Sequence, residues 1–450
     1  MSPAPVHGPT AHRLRARLAR EQVAGRAPSV VAGLIRDGGL AWADGYGAVP
    51  GDDPTDVQYR IGSITKTMTA VLVHRLVREG RLGLDDTVGS VLDELADGAT
   101  GRATVRTLLS HSAGLRAEPV GDWWERSAGI SFERLAAAHA GVPSVLPPGQ
   151  QLHYSNLGYG LLGEVAARLH DAPWWDCVRD QVLGPLGMGR TSYLPEGPAA
   201  QGYSVHPWAG TLTEEPATDT GAMAPAGQLW STVADLATYA AFLVAGHPDV
   251  LSLDDLRRAA HVQSGDQADG LGGGFGLGFQ LTTGGPGGSG TLVGHGGSMP
   301  GFLATCLVDR RRGTGCVAFA NATTGPSLPA LGRDLLEELE SSEPAVPAPW
   351  TPATRVPPPL EPLLGVWYWG NTAMTFSLEG EEVVARRGEL ESWRFGVRDG
   401  RVVGTGGYHT GEPVDVVRRD DGSVSHLDVA TFVLTRVPYD PDAPIPGGHP

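Results

Sequence analysis

Three short runs carry residue types that could make and break an acyl bond: Ser63-Ile-Thr-Lys66, Tyr154-Ser-Asn156 and His295-Gly-Gly297. In the first, a hydroxyl and an amine stand three residues apart, which makes them neighbours on one face of a helix. The amine can then take the hydroxyl proton and leave a nucleophile. Lys66 is the single lysine of the chain; of 34 lysines and arginines, 34 − 1 = 33 are arginines. Either residue serves as an exposed cation, but only lysine can lose its proton near neutrality, because guanidinium stays charged above about pH 12. Lys66 therefore reads as a base beside a Ser63 nucleophile. Taken singly, each run has a plainer reading: a chance surface pair, a half-buried phenol, and one of 14 histidines.

The elements that must position these residues follow from periodicity. Ile64, Met68, Val71, Leu72 and Leu76 recur at helical spacing until Gly80, so Ser63 stands at the mouth of a buried helix and Lys66 one turn inside. Tyr154 precedes a glycine-rich helical run, Leu157 to Leu169, which places it in a loop at a helix start. His295 is expected at the end of a strand, where two glycines free backbone amides for a ligand. Ala11 to Gln22 has amphipathic spacing, and Ser29 to Ile35 with Leu40 to Tyr46 reads as a hairpin turning at Asp37-Gly38-Gly39. Residues from Asp85 to about Ala226 read as mostly helical, an inserted subdomain. Strands return at Gly276 to Leu281, Thr291 to Gly294, Phe302 to Asp309 and Gly315 to Asn321, and Leu328 to Leu339 closes as a helix.

Eight prolines in the twenty residues from Glu343 to Pro362 make a semi-rigid spacer. The expected domains are therefore residues 1–342, a linker over 343–362, and 363–450. The last opens on Gly365-Val-Trp367 and continues as short alternating strands, the pattern of a small antiparallel barrel. Along Thr431 to Val437 the alternation Phe432, Leu434 runs on to Arg436, which would share the inward face and meet an anion or carbonyl there. An arginine at a strand end reaching for water is the plainer reading.

A formal charge of −16 argues against nucleic acid or an anionic membrane as partner. Three scattered cysteines, Cys177, Cys306 and Cys316, fit neither a disulfide framework nor a zinc site, and no metal or cofactor is expected. The first twenty-five residues lack the apolar run of a signal peptide, so a cytoplasmic location is expected. Glycine is dense between Gly270 and Gly297, but without a strand-turn-helix context it is not a dinucleotide fingerprint.

Taken in order, the three runs resemble the penicillin-recognising serine hydrolases, the superfamily of class C β-lactamases, D,D-peptidases and related esterases. Tyr59-Arg-Ile-Gly-Ser63, Leu108-Leu-Ser-His-Ser-Ala-Gly-Leu115, Pro185-Leu-Gly-Met188, Gly227-Gln-Leu-Trp-Ser-Thr232 and Gly294-His-Gly-Gly-Ser-Met-Pro-Gly-Phe302 extend the resemblance over residues 10 to 342. It implies an α+β fold, an antiparallel sheet flanked by helices with a helical subdomain. It also implies that Ser63 is the nucleophile, that Lys66 and Tyr154 share its proton, and that the backbone amides of Ser63 and Ser298 form an oxyanion hole. His295, Gly296 and Gly297 would form the third wall, with Asn156 holding a substrate amide. For Lys66 to be neutral near pH 7 its pKa must fall by about three, at a cost of roughly 4 kcal/mol, which is expected from burial and a nearby cation.

Gly296 departs from the family pattern, which usually has a hydroxyl residue there to bind a substrate carboxylate. Esters and thioesters are then better substrates than β-lactams. With its appended lipocalin-like barrel, the chain resembles the penicillin-binding-protein-type thioesterases. These take a peptide from a carrier-protein phosphopantetheine thioester onto serine and close it head to tail. An esterase or D-stereospecific peptidase or amidase of the same superfamily is the alternative, and a noncatalytic binding or carrier protein the second.

Overall fold

The computed structural model describes residues 4–265, 272–347 and 349–439, which fall into two compact units, residues 1–345 and 346–450. In the first unit, helix α1 is Gly8–Gly25, and strands β1 (Ser29–Arg36) and β2 (Gly39–Gly47) form the expected hairpin. Helices α2 (Thr65–Arg78), α3 (Asn156–His170), α4 (Val233–Ala245) and α5 (Leu328–Ser342) frame the sheet and the site. The remaining strands of the sheet are β3 (Ser264–Gly265), β4 (Gly273–Phe275), β5 (Gln280–Thr283), β6 (Thr291–Met299), β7 (Phe302–Asp309) and β8 (Thr314–Ala320). They pair antiparallel in the order β2-β1-β8-β7-β6-β5-β4-β3.

Alternation along the central strands decides which layer each residue joins. Val30, Ala32 and Leu34 of β1 and Cys316, Ala318 and Ala320 of β8 pack with Leu14 and Leu18 of α1 and Leu331 and Leu335 of α5. Val31, Val317 and Phe319 point the other way, into the cluster holding Met68, Leu72, Leu236 and Leu243 from α2 and α4. Both faces are thus buried, and a one-residue slip of either strand would exchange the two sets. Each fully buried leucine or valine contributes about 1.5 to 3 kcal/mol.

Two expectations need correction. Residues from Asp85 to Ala226 are not mostly helical: between the short helices Val105–Leu109 and Phe132–His139 and α3 run long irregular stretches, with a small hairpin of Tyr203–Val205 and Leu212–Glu214. The prolines and glycines of that region, such as Pro147-Pro148-Gly149, deny the backbone a continuous hydrogen-bond ladder. Of the expected strand Gly276 to Leu281 only Gln280 and Leu281 are strand, at the start of β5; residues 276–279 form the turn after β4, where Gly278 takes φ +100 against Ala70 of α2. Among the described residues no helix is long and apolar enough to cross a membrane.

The second unit is a nearly closed barrel of eight antiparallel strands: β9 (Gly365–Trp369), β10 (Thr372–Glu379), β11 (Glu382–Arg387), β12 (Leu390–Arg398), β13 (Arg401–Gly407), β14 (Val414–Arg418), β15 (Val424–Val429) and β16 (Phe432–Thr435). The order is β13-β12-β11-β10-β9-β16-β15-β14, and bridges Val403 to Pro413 and Gly404 to Thr410 bring its two ends together. Alternate residues Met374 and Phe376, Trp393 and Phe395, and Leu427 and Val429 fill the interior around the fully buried Trp367. Arg436 does not point inward as expected. Strand β16 ends at Thr435, and the exposed Arg436 folds back so that its guanidinium donates to the carbonyls of Val366, Pro362 and Leu364. Those carbonyls, rather than a substrate, take its donors.

Candidate active site

Ser63 sits in the single turn Gly62–Ile64 that leads into α2, so its side chain leaves the helix at the N-terminal rim while Lys66 lies one turn below. The turn is pinned from outside. Ile61 donates to the Leu229 carbonyl at 2.9 Å, and Tyr59 and Arg60 pair with Ser231 and Trp230. That pairing carries Ala226 up to Lys66, whose Nζ donates to the Ala226 carbonyl at 2.6 Å and to Ser63 Oγ at 2.9 Å. Lys66 is fully buried, and burial pulls its pKa from 10.5 to about 7. The nearby cation expected to assist is not what lowers it. The neighbouring charges that act on Lys66 are the carboxylates Glu118 and Glu125, and both oppose the fall.

Tyr154 precedes the N-cap of α3, Ser155, whose hydroxyl accepts from the amide of Gly158. Tyr154 lines the same cleft as Ser63, and its ring lies 5.1 Å from Lys66 Nζ. Burial pushes its pKa well above the ordinary phenol value, so the phenol is neutral near pH 7 and the amine is the available base. Asn156, on the first turn of α3, donates through Nδ2 to Glu118 at 2.7 Å and keeps a buried Oδ1 with no partner.

The third wall differs from its expected form. His295 is not at a strand end: β6 continues through Gly296 and Gly297 to Met299. From His295 onward β6 pairs only with β7, since β5 leaves it at Gly294, and its other edge faces the cleft. His295 Nδ1 lies 2.5 Å from the Gly296 carbonyl, and burial together with Lys66 pushes its pKa to about 3. It is a neutral ring in this cleft. Gly297 has to be glycine, because a Cβ there would run into the Ile61 carbonyl oxygen. This close approach sets Ser298 beside the Ser63 turn, and both residues line one cleft of about 420 Å³.

The structure thus brings together Ser63, Lys66, Tyr154, His295, Gly296, Gly297 and Ser298, sets Asn156 behind them through Glu118, and leaves Arg436 in the barrel unit. Residue types alone did not single out His111, which stacks on Tyr154, or Glu118, which also accepts from Trp124 Nε1 at 2.7 Å. The Leu108 to Leu115 motif contained His111 without indicating its role. Glu118 sits in a stretch with no periodicity to mark it.

The family model for Beta-lactamase matches residues 15–340, and a model for a domain of unknown function, DUF7586, matches residues 356–436. Beta-lactamase-like protein 2 of Dictyostelium discoideum is 31% identical over 251 residues, 51% of this chain and 45% of that protein. The chain spans less than half the length of the first curated relatives it matches. The octameric penicillin-binding protein homologue from Pyrococcus abyssi shares the fold at TM-score 0.65 and 22% identity, covering 94% of this chain and 99% of that one. A D-stereospecific amidohydrolase from Streptomyces sp. gives TM-score 0.61 at 26% identity, with 75% and 99% covered. SurE with D-Leu gives TM-score 0.57 at 25% identity, with 96% and 100% covered. Through its first unit, with the serine, lysine and tyrosine converging on one cleft, this chain belongs to the beta-lactamase family.

Proposed function

We propose that the chain is a serine acyl-enzyme hydrolase and acyltransferase, and within that class a thioesterase that releases and head-to-tail macrocyclises a nonribosomal peptide from a carrier-protein thioester. The observation that carries the first part is the 2.9 Å contact between Ser63 Oγ and Nζ of the fully buried Lys66, whose pKa burial lowers to about 7. Neutral Lys66 takes the Ser63 proton as Oγ attacks the carbonyl, and the amides of Ser63 and Ser298 hold the developing oxyanion. The acyl–sulfur bond breaks, and the departing thiolate receives the proton through Lys66 and the neutral Tyr154 phenol. Asn156 Oδ1 accepts an amide N–H of the acyl chain. The peptide's own amine then attacks the Ser63 ester and restores the hydroxyl.

Support for a D-configured acyl residue comes from SurE, whose likeness covers 96% of this chain and whose structure holds D-Leu. The setting would be a cytoplasmic peptide assembly line, with a phosphopantetheine-bearing carrier protein as partner. The likeness to a D-stereospecific amidohydrolase, which spans the first unit, favours a second reading, hydrolysis of D-residue amides. Mass spectrometry after incubation with D-terminal and L-terminal peptidyl thioesters tests both. A Ser63 adduct with cyclic product is expected from the D-terminal substrate. Linear acid alone would favour the amidase, and no adduct on Ser63 would remove the acyl-enzyme.

A further inference from the structure

Two adjacent glycines in β6 stand in unlike surroundings. Gly297 is forced by its approach to Ile61, as described above, whereas a Cβ on Gly296 would meet nothing closer than the Ala304 carbonyl oxygen at 4.0 Å. Gly296 does not have a left-handed φ either. Glycine weakens a strand by its backbone freedom and packs nothing. Neither fold nor backbone conformation requires it at 296, so what its small size preserves is empty space.

That space is part of the cleft. The 420 Å³ cavity is lined by Ser63, Tyr154 and His295, by Gly296, whose amide donates to Gln280 Oε1 at 3.3 Å and which puts no side chain into it, and by Leu303, Pro326 and Leu328 beside the start of α5. None of its lining residues is an Asp, Glu, Lys or Arg, and His295 is neutral, so a carboxylate would find no cation there. Tyr154 lines this cavity and Asn156 does not. The group that leaves must take its proton from the Lys66 and Tyr154 pair, so it departs on the Tyr154 side, while the acyl chain lies toward Asn156.

We infer that Gly296 is a specificity-determining opening through which an uncharged, largely apolar chain of the leaving group passes from the reacting carbonyl to the pocket at Leu303, Pro326 and Leu328. This rests on the acyl-enzyme chemistry proposed above and adds to it the class of leaving group: a neutral chain several atoms long. The arm of a thioester carrier meets that description near its sulfur, and a short alcohol or a chain ending in a carboxylate does not.

The experiment uses the full chain and esters of one fixed D-aminoacyl group with alcohols of one, four and eight carbons, together with an eight-carbon alcohol ending in a carboxylate. For the native protein, kcat/KM is expected to rise at least tenfold from methyl to octyl, since several methylenes leave water, and to fall at least tenfold on adding the carboxylate. Gly296→Thr fills the opening and is expected to bring the octyl-to-methyl ratio below three. Pro329→Trp, at the exposed far rim of the same cavity, is expected to lower that ratio too, and decides the matter alone if Gly296→Thr fails to fold. A native ratio near one, a preference for the carboxylate chain, or folded variants that keep the native ratio would each overturn the inference while leaving the acyl-enzyme intact. Absence of both turnover and a Ser63 adduct with every ester would instead overturn the proposed chemistry, and the inference with it.

Discussion

His111 lies against Tyr154 with ring centroids 4.1 Å apart and planes 28° apart, and it also holds both chain neighbours of that tyrosine. The His153 amide donates to the His111 carbonyl at 2.7 Å, and the Ser155 amide donates to His111 Nδ1 at 3.1 Å. Because Nδ1 accepts, the ring proton must sit on Nε2, and burial holds the ring neutral with a pKa well below the ordinary value. His111 adopts φ 55, a left-handed conformation that costs a non-glycine residue roughly 1 to 2 kcal/mol. The phenol that shares the cleft with Ser63 is therefore aimed by a residue forty-three positions earlier.

Asparagine tolerates the left-handed conformation and offers a carbonyl oxygen to Ser155, but it has no ring. His111→Asn is expected to melt near the native temperature and to acylate Ser63 at least tenfold more slowly, about 1.4 kcal/mol in the barrier. His111→Ala loses the acceptor as well, and should be destabilised by about 2 to 4 kcal/mol. Stopped-flow acylation beside thermal melts separates the two effects. Native acylation by His111→Asn would mean that the stack does not position the phenol.

With Lys66 titrating at about 7, kcat/KM for acylation should rise with pH through an inflection near that value and level off above it. Glu118 favours the protonated amine and so raises its pKa. Glu118→Gln removes that charge while retaining an oxygen for Asn156 Nδ2. The inflection is expected to move to lower pH in that variant, as read from the pH profile. A shift to higher pH would show that Glu118 does not act on Lys66 through its charge.

Sequence periodicity located α2 and hence the Ser63 and Lys66 pair, because a buried helix writes its inner face as apolar residues at helical spacing. The hairpin of β1 and β2 and the alternating strands of the barrel were legible for the same kind of reason. What periodicity cannot report is a neighbour brought in by an irregular stretch. Glu118 and Trp124 reach the site from such a stretch, and the Ala226 carbonyl arrives through the pairing of Trp230 with Arg60. Arg436 misled because alternation was extended one residue beyond the strand, where the backbone turns away.

The folded pKa of Lys66 lies below its unfolded value, so the charged form is disfavoured by folding. The cost of burying it is full below about pH 7 and is relieved as pH rises from there toward 10.5. A difference of 10.5 − 7 = 3.5 corresponds to roughly 5 kcal/mol at most. Lys66→Met should therefore be inactive yet more stable than the native protein at pH 6, with a smaller gain at pH 9, as measured by denaturant melts. Lys66→Arg should lose acylation as fully as Lys66→Ala, since guanidinium cannot serve as the base. Retention of a tenth of the native rate by the arginine variant would remove Lys66 from that role.

In the barrel, Arg436 spans the Val366, Pro362 and Leu364 carbonyls at 3.0, 3.1 and 3.0 Å, with its Cζ 3.6 Å from the centroid of Trp367. The fully buried Trp367 in turn donates through Nε1 to the Leu363 carbonyl at 2.6 Å. One cation thus ties the last strand to the start of the first, at the point where the chain enters the unit. A planar fork can serve three carbonyls and stack at the same time, and an ammonium cannot. Arg436→Lys is therefore expected to destabilise the barrel nearly as much as Arg436→Ala, by about 2 to 4 kcal/mol. Hydrogen exchange should show the loss across residues 356–436 and not in the sheet of the first unit. If Arg436→Ala leaves exchange in the barrel unchanged but alters the ratio of cyclic to linear product, the arginine contacts substrate after all, as its place in the sequence alternation first suggested.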